Sequence, residues 1–165
     1  MEIFPRQAEI GTDRVERFLR KFYFLNNMFP VERGLDTPID VRVPTTEHAY
    51  HMGKFVDDEP KFLVANAKTG MEAKETANKL LEEGWEKIED WDESKFGIML
   101  GYNRQKFSEN RELATKLIDT GSMLLVEGNN HGDRFWGVDP PRSNNGANHL
   151  GEILMLIRDD LQSAM

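Results

Sequence analysis

The chain has 165 residues, enough to bury one core without disulfide or metal staples, and no cysteine, which excludes a disulfide framework, a thiolate zinc site and a cysteine nucleophile. Its 29 acidic residues against 21 basic ones give a net charge of -8, which opposes the broad basic footprint of non-specific nucleic-acid binding but leaves room for a few cationic groups at one spot. No apolar run is long enough for a membrane span, and Glu2, Arg6 and Glu9 interrupt any leader-like start, so a soluble, cytoplasmic protein of one domain over residues 1–165 is expected, with no membrane partner.

Arg14 to Phe22 carries Val15, Phe18, Leu19 and Phe22 at helical spacing, which predicts an amphipathic helix broken by Asn26, Asn27 and Pro30. The alternation Ile39, Val41, Val43 predicts a short half-buried strand. Pro44-Thr45-Thr46 introduces a helix from Glu47 to Phe55, because a threonine at the N-cap satisfies free amides of the first turn. Met71 to Leu81 predicts a polar helix stopping at Gly84. Trp91, Phe96 and Met99 to Phe107 predict another, and Arg111 to Ile118 a third that ends at Gly121. Met123 to Val126 is strand-like, and Leu150, Ile153, Leu154, Ile157 and Leu161 form the apolar stripe of a terminal helix. Short strands beside many helices give an α+β domain, predominantly helical, with a few short strands.

Residues 125–137, LVEGNNHGDRFWG, run from an apolar entry into a turn-rich loop that nonetheless holds an acid, Asp133, beside Phe135 and Trp136. That combination makes a small apolar pocket with one charge in it. On the helix after Pro44, Glu47, His51 and Lys54 stand at i, i+4 and i+7 and share a face, with His48 about 100° away. Glu47 falls in the first turn, where the helix dipole favours a charged carboxylate. The plainer reading of this stripe is a first-turn acid with a surface salt bridge, and of His48 a packed polar residue. Glu47-His48-x-x-His51 invites a metal, but His131 and His149 supply no matching third ligand, and neither a metal nor a cofactor is expected. Phosphate-loop, dinucleotide and nucleophile-elbow motifs are absent. Ser143 to Asn148 precede the terminal helix and offer either an anion site at its N-terminus or an ordinary cap from Asn145 or Asn148.

Five stretches in order resemble the NADAR family, the group of YbiA-like proteins, over residues 24–158. Phe24-Leu-Asn-Asn27-Met-Phe-Pro30 is similar to its FLSNFYP-like segment, with Asn26 in place of the usual serine, and Pro44-Thr-Thr-Glu47-His48-Ala-Tyr-His-Met-Gly-Lys54-Phe55 to its P-[ST]-x-E-H-x-[YF]…K-F helix. Lys106-Phe107 with Asn110 and Leu113 fits KF-x-x-N-x-x-L. The loop at 125–137 matches LVEGN…GD-x-[FYW]-WG, although His131 stands where an aromatic is common, and Gly146 to Arg158 matches G-x-N-x-LG-x-x-LM-x-x-R. The AK-x-x-GR-like element survives only as Ala73-Lys74.

The resemblance implies a YbiA-like domain that cleaves N-glycosidic bonds at ribose C1, on ADP-ribosylated guanine in nucleic acid or on phosphoribosylated intermediates of riboflavin synthesis. Departure of the base leaves an oxocarbenium-like cation that a carboxylate stabilises. Glu47 and Asp133 are the expected catalytic carboxylates, and Lys54 contacts a phosphate or forms a Schiff base with an opened ribose. Phe24, Asn27, His48, Lys74, Trp136, Gly137 and Asn148 are the expected substrate-binding residues, with only local contact to nucleic acid. Two other readings compete: a non-catalytic ADP-ribose or NAD-binding module, and a structural or partner-binding helical protein.

Overall fold

The computed structural model describes residues 14–165, so the leader reading over residues 1–12 lies outside the described residues. The chain divides into two compact units, one formed by residues up to Asn26 together with Arg111–Met165, the other by Asn27–Asn110.

In the first unit, strand β1, Arg14–Val15, pairs in parallel with strand β2, Leu124–Leu125, with Val15 opposite Leu125. A 3-10 helix follows at Arg20–Leu25. Helix α5, Arg111–Ile118, packs on the terminal helix α6, His149–Ser163, which also covers β2. Leu150, Ile153, Leu154 and Ile157 of α6 are buried, as their spacing requires. Each such side chain contributes about 1.5–3 kcal/mol on leaving water. Arg158 is buried on the same helix and donates through Nη1 to the Thr120 hydroxyl at 2.9 Å and the Met123 carbonyl at 2.8 Å, tying α6 to the turn before β2.

The second unit holds α1, Thr46–Met52; α2, Asp58–Ala65; α3, Gly70–Glu82; and α4, Trp91–Ser108. Helix α1 is central and packs on the other three. Leu35, Val43, Ala49, Met52, Phe55, Val64, Ala73, Ala77 and Leu80 form its core.

The helices expected after Pro44, at Met71, through Trp91 to Phe107, at Arg111 and at the C-terminus all form, with Gly84 at φ 102° and Gly121 at φ 64° beyond the ends of α3 and α5. Three expectations are corrected. Residues 14–22 are a strand, a bend and the first turn of the 3-10 helix rather than one amphipathic α-helix: Leu19 is extended at φ -131° and ψ 164°, Arg20 has φ 56°, and Val15 is held by cross-strand pairing. The strand at Ile39 to Val43 shrinks to a single bridge between Leu35 and Val43, because Asp40 turns the chain at φ 60°. Helix α2 was not expected; its start is marked by Asp57, Asp58 and Glu59, with Pro60 in the first turn where no amide partner is needed.

Candidate functional site

The start of α1 is unusually well satisfied. The Thr45 hydroxyl accepts from the His48 amide at 3.1 Å, the Thr45 carbonyl accepts from the Ala49 amide, and the Asn27 carbonyl accepts from the Glu47 amide at 3.0 Å. The amides of Glu47 and His48 are among the orphan donors that every helix start presents, and the Ala49 bond is the first of the regular ladder. Asn27 is itself buried, its amide donating to Met99 Sδ and its carbonyl oxygen accepting from Asn103, each at 3.3 Å. Close approach of α3 adds a second constraint: a Cβ on Gly70 would lie 3.0 Å from Met28 Cγ and 3.2 Å from Glu47 Cβ. Glu47 therefore projects from a backbone fixed on several sides.

His48 is fully buried, and both its ring nitrogens are engaged. The Ala67 carbonyl only accepts, so Nε2 carries the proton and donates to it at 2.9 Å, leaving Nδ1 to accept from the Thr45 hydroxyl at 2.7 Å. Burial lowers its pKa, against the Ala67 bond and the charges of Glu47 and Glu72, which suits this neutral form. The structure thus gives His48 the task of tying the α2–α3 connection to α1, with neither nitrogen left for a ligand.

His51 was on the expected stripe but outside the expected site, and it is the group Glu47 meets. Its Nε2 lies 3.0 Å from Glu47 Oε2, with side chains 5% and 13% exposed. Burial lowers the His51 pKa; the hydrogen bond and charge of Glu47 oppose this, and Lys54 and Lys74 add to it. A neutral ring donating from Nε2 to the carboxylate leaves Nδ1 as a buried acceptor with no described partner. Lys54, one turn on, is pushed down to about 8 by burial, against the attraction of Glu47 and with help from Lys87, Lys74 and Lys95. Its Nζ sits 5.8 Å from the Tyr50 ring centre and 5.9 Å from that of Trp91. Tyr50 in turn contacts both His51 and Trp91, each at 5.1 Å between ring centres. Glu47, His51, Lys54 and Lys74 therefore form one electrostatic cluster against an aromatic wall. The helical periodicity pointed to the first three; Tyr50 and Trp91 were not singled out for the site, since an aromatic carries no mark in sequence of what its ring will face.

The remaining expected residues belong to the first unit. Asp133 Oδ1 accepts from the amides of Phe135 at 3.1 Å and Trp136 at 2.9 Å, an Asx turn that fixes the loop. Buried Asn129 braces it, accepting from the Asp133 amide at 3.0 Å and donating to the Asp133 carbonyl at 2.9 Å. Half-buried Trp136 stands edge-on to Phe135 at 4.7 Å, and Phe135 meets His149 at 4.6 Å. A Cβ on Gly137 would collide with the Glu127 carbonyl, which explains the glycine without a ligand. Phe24 is buried, with Lys116 Nζ 5.8 Å from its ring centre.

Asn148 occupies the N-cap of α6 in the left-handed region, φ 52°, but its side chain does not cap. It accepts from the Glu127 amide at 2.9 Å and donates to the Leu125 carbonyl at 3.0 Å. Nor is the N-terminus of α6 open to an anion: the amides of His149 and Leu150 already donate to the carbonyls of Phe135 and Trp136, at 3.1 and 3.0 Å. Both sequence-level alternatives for this turn are thereby replaced, because a neighbouring loop rather than a cap or a ligand takes the free amides. Among the described residues, no group of three or more His, Asp or Glu is arranged to hold a metal ion, and no helix is long and apolar enough to cross a membrane.

The model of the NADAR domain matches residues 15–162. A riboflavin biosynthesis protein of Vibrio vulnificus is 34% identical over 119 residues, covering 72% of this chain and 31% of that protein. A chloroplastic riboflavin biosynthesis protein of Zea mays is 33% identical over 125 residues, 72% of this chain and 20% of its own length. N-glycosidase R617 of Acanthamoeba polyphaga mimivirus is 37% identical over 81 residues, 44% of this chain and 47% of that protein. The chain thus spans under half the length of each of these relatives. The NMR structure of the Escherichia coli protein YbiA has the same fold, with a TM-score of 0.72 at 22% identity, covering 93% of this chain and 92% of that one.

Proposed function

The chain belongs to the NADAR family, and on that premise we propose that it is an N-glycosidase hydrolysing a ribose C1–N bond. The observation that carries the reading is the carboxylate of Glu47, bonded to His51 and coupled by charge to the depressed amine of Lys54 in the turn after α1. The names of the mimiviral and riboflavin-related relatives point the same way. Its substrate is ADP-ribosylated guanine in nucleic acid or a phosphoribosylated intermediate of riboflavin synthesis; both present a ribosyl C1 bonded to a base nitrogen.

In the proposed reaction the neutral Lys54 amine attacks C1 while the C1–N bond breaks, its electron pair leaving with the base, which takes up a proton. The ring then opens at O4 to a protonated imine, and water adds to C1, returning the free amine and a sugar with a C1 hydroxyl. Glu47 stabilises positive charge at C1 and passes the protons, with His51 fixing its orientation. Lys74 attracts the phosphate groups. Asp133 and Trp136, in the other unit, stay proposed as a second carboxylate and a ring-stacking residue on the family motif alone, the acid through the oxygen that its Asx turn does not use.

Borohydride added during turnover tests this reading. We expect a covalent ribosyl adduct that is lost in Lys54→Arg, with release of base from ADP-ribosylated DNA or from a phosphoribosylated pyrimidine. Turnover with no adduct would leave direct hydrolysis by Glu47-activated water. Binding of ADP-ribose without release of base from either substrate would sink the enzymatic reading in favour of a non-catalytic module.

A further inference from the structure

Away from the Glu47 cluster, the second unit contains a cavity of about 260 Å³ lined by Ile39, Met52, Phe55, Ile88 and Ile98, with Lys61 and Tyr102 as its ionisable groups. Neither Glu47, His51 nor Lys54 lines it. Close packing would normally fill such a space, since its walls forgo contact energy on the open side. Gly53 also borders it, and a Cβ there would lie 3.5 Å from Ile98 Cγ2, so the missing side chain contributes to the opening.

Two donors serve this apolar volume. No described residue hydrogen-bonds the Tyr102 hydroxyl, and burial raises its pKa, which keeps it a phenol able to donate. Among the described residues Lys61 is engaged only by Asp58, at 3.4 Å, in a pair whose acidic partner is 67% exposed. Exposed pairs of this kind hold by about 0–1 kcal/mol, so the ammonium exchanges partner readily. An apolar volume lined by an ammonium and a phenol, with no carboxylate, selects a ligand with a hydrocarbon body and an anionic head. The volume falls below the ~300–1,000 Å³ of drug-sized sites, which suits a molecule of about ten non-hydrogen atoms.

We propose that this cavity binds a small apolar carboxylate, its hydrocarbon among Ile39, Ile88 and Ile98 and its carboxylate held by Lys61 and the Tyr102 hydroxyl. The site is separate from ribosyl cleavage, and its test needs no catalytic readout. The full chain, labelled at isoleucine δ1 methyls, is titrated by NMR with octanoate and, in parallel, with uncharged octan-1-ol. Octanoate should shift the methyls of Ile39, Ile88 and Ile98 saturably and to one equivalent. Lys61→Met, at a half-exposed helix position, should weaken octanoate about tenfold, the loss of one charge-assisted hydrogen bond, and leave octan-1-ol unchanged. Ile98→Phe should fill the space and abolish both. The proposal is overturned if octanoate gives no saturable shift at these methyls, or if Lys61→Met binds it as the wild type does.

Discussion

Replacing Lys106 by methionine should remove a pH dependence of the protein's stability. Lys106 is wholly buried in α4, its Nζ 5.6 Å from the Phe29 ring centre and 5.2 Å from that of Phe107. The rings offset part of the cost of enclosing an ammonium, yet burial still takes its pKa from 10.5 to about 7. A displacement of that size corresponds to on the order of 5 kcal/mol between the two protonation states. Between about pH 7 and 10.5 the unfolded chain keeps a proton that the folded protein has released, so wild-type stability rises with pH across that window. Below about pH 7 the folded protein holds the enclosed ammonium, and this contribution to stability is at its lowest. Methionine matches the length of the lysine stem without the charge. Urea unfolding of both proteins at about pH 6.5, 8 and 9.5 reads the difference directly. The stability of Lys106→Met relative to wild type should fall by several kcal/mol from the lowest pH to the highest. A difference that stays constant over this range would refute the argument, since only a buried titrating amine makes it vary.

Cleavage of the C1–N bond should rise with pH and level off above about 8, where the Lys54 amine is largely neutral, and a flat profile over that range would contradict an amine nucleophile. Thr45→Ala should destabilise by about 1–2 kcal/mol in thermal or urea unfolding, while Thr45→Ser retains the cap of α1 and the hydroxyl that His48 uses. Asn148→Ala should cost about 2–4 kcal/mol, because the Leu125 carbonyl and the Glu127 amide both lose their partner. Asn148→Gly should recover only the part due to the left-handed backbone, so near-full recovery would mean the two hydrogen bonds contribute little.

The sequence was most readable where one local signal decides the outcome. Threonine before an amphipathic run located α1, the i, i+4, i+7 spacing put Glu47, His51 and Lys54 on one face, and the stripe from Leu150 located α6. It misled where a distant partner overrides the local pattern. Val15, Phe18, Leu19 and Phe22 fit a helix, but Val15 finds Leu125, and Leu19 is left 44% exposed. The same limit hid the work of polar side chains. His48 and Asn148 each carry groups suited to a ligand, and only the fold reveals that Ala67 and Leu125 take them up. Lys106 stood in a recognisable spacing, yet nothing local announces that a lysine is enclosed.

The parallel pair of β1 and β2 joins residues 14–15 to residues 124–125, a contact between segments more than a hundred positions apart along the chain. Closing so long a loop carries an entropy cost that a two-residue pairing repays only with the support of α6 packed on β2. The unit at Asn27–Asn110, by contrast, is one continuous stretch of chain. During ribosomal synthesis that stretch emerges whole before β2 exists, so the helix bearing Glu47 and the turn bearing Lys54 can gather their neighbours within the unit while β1 still waits for its mate.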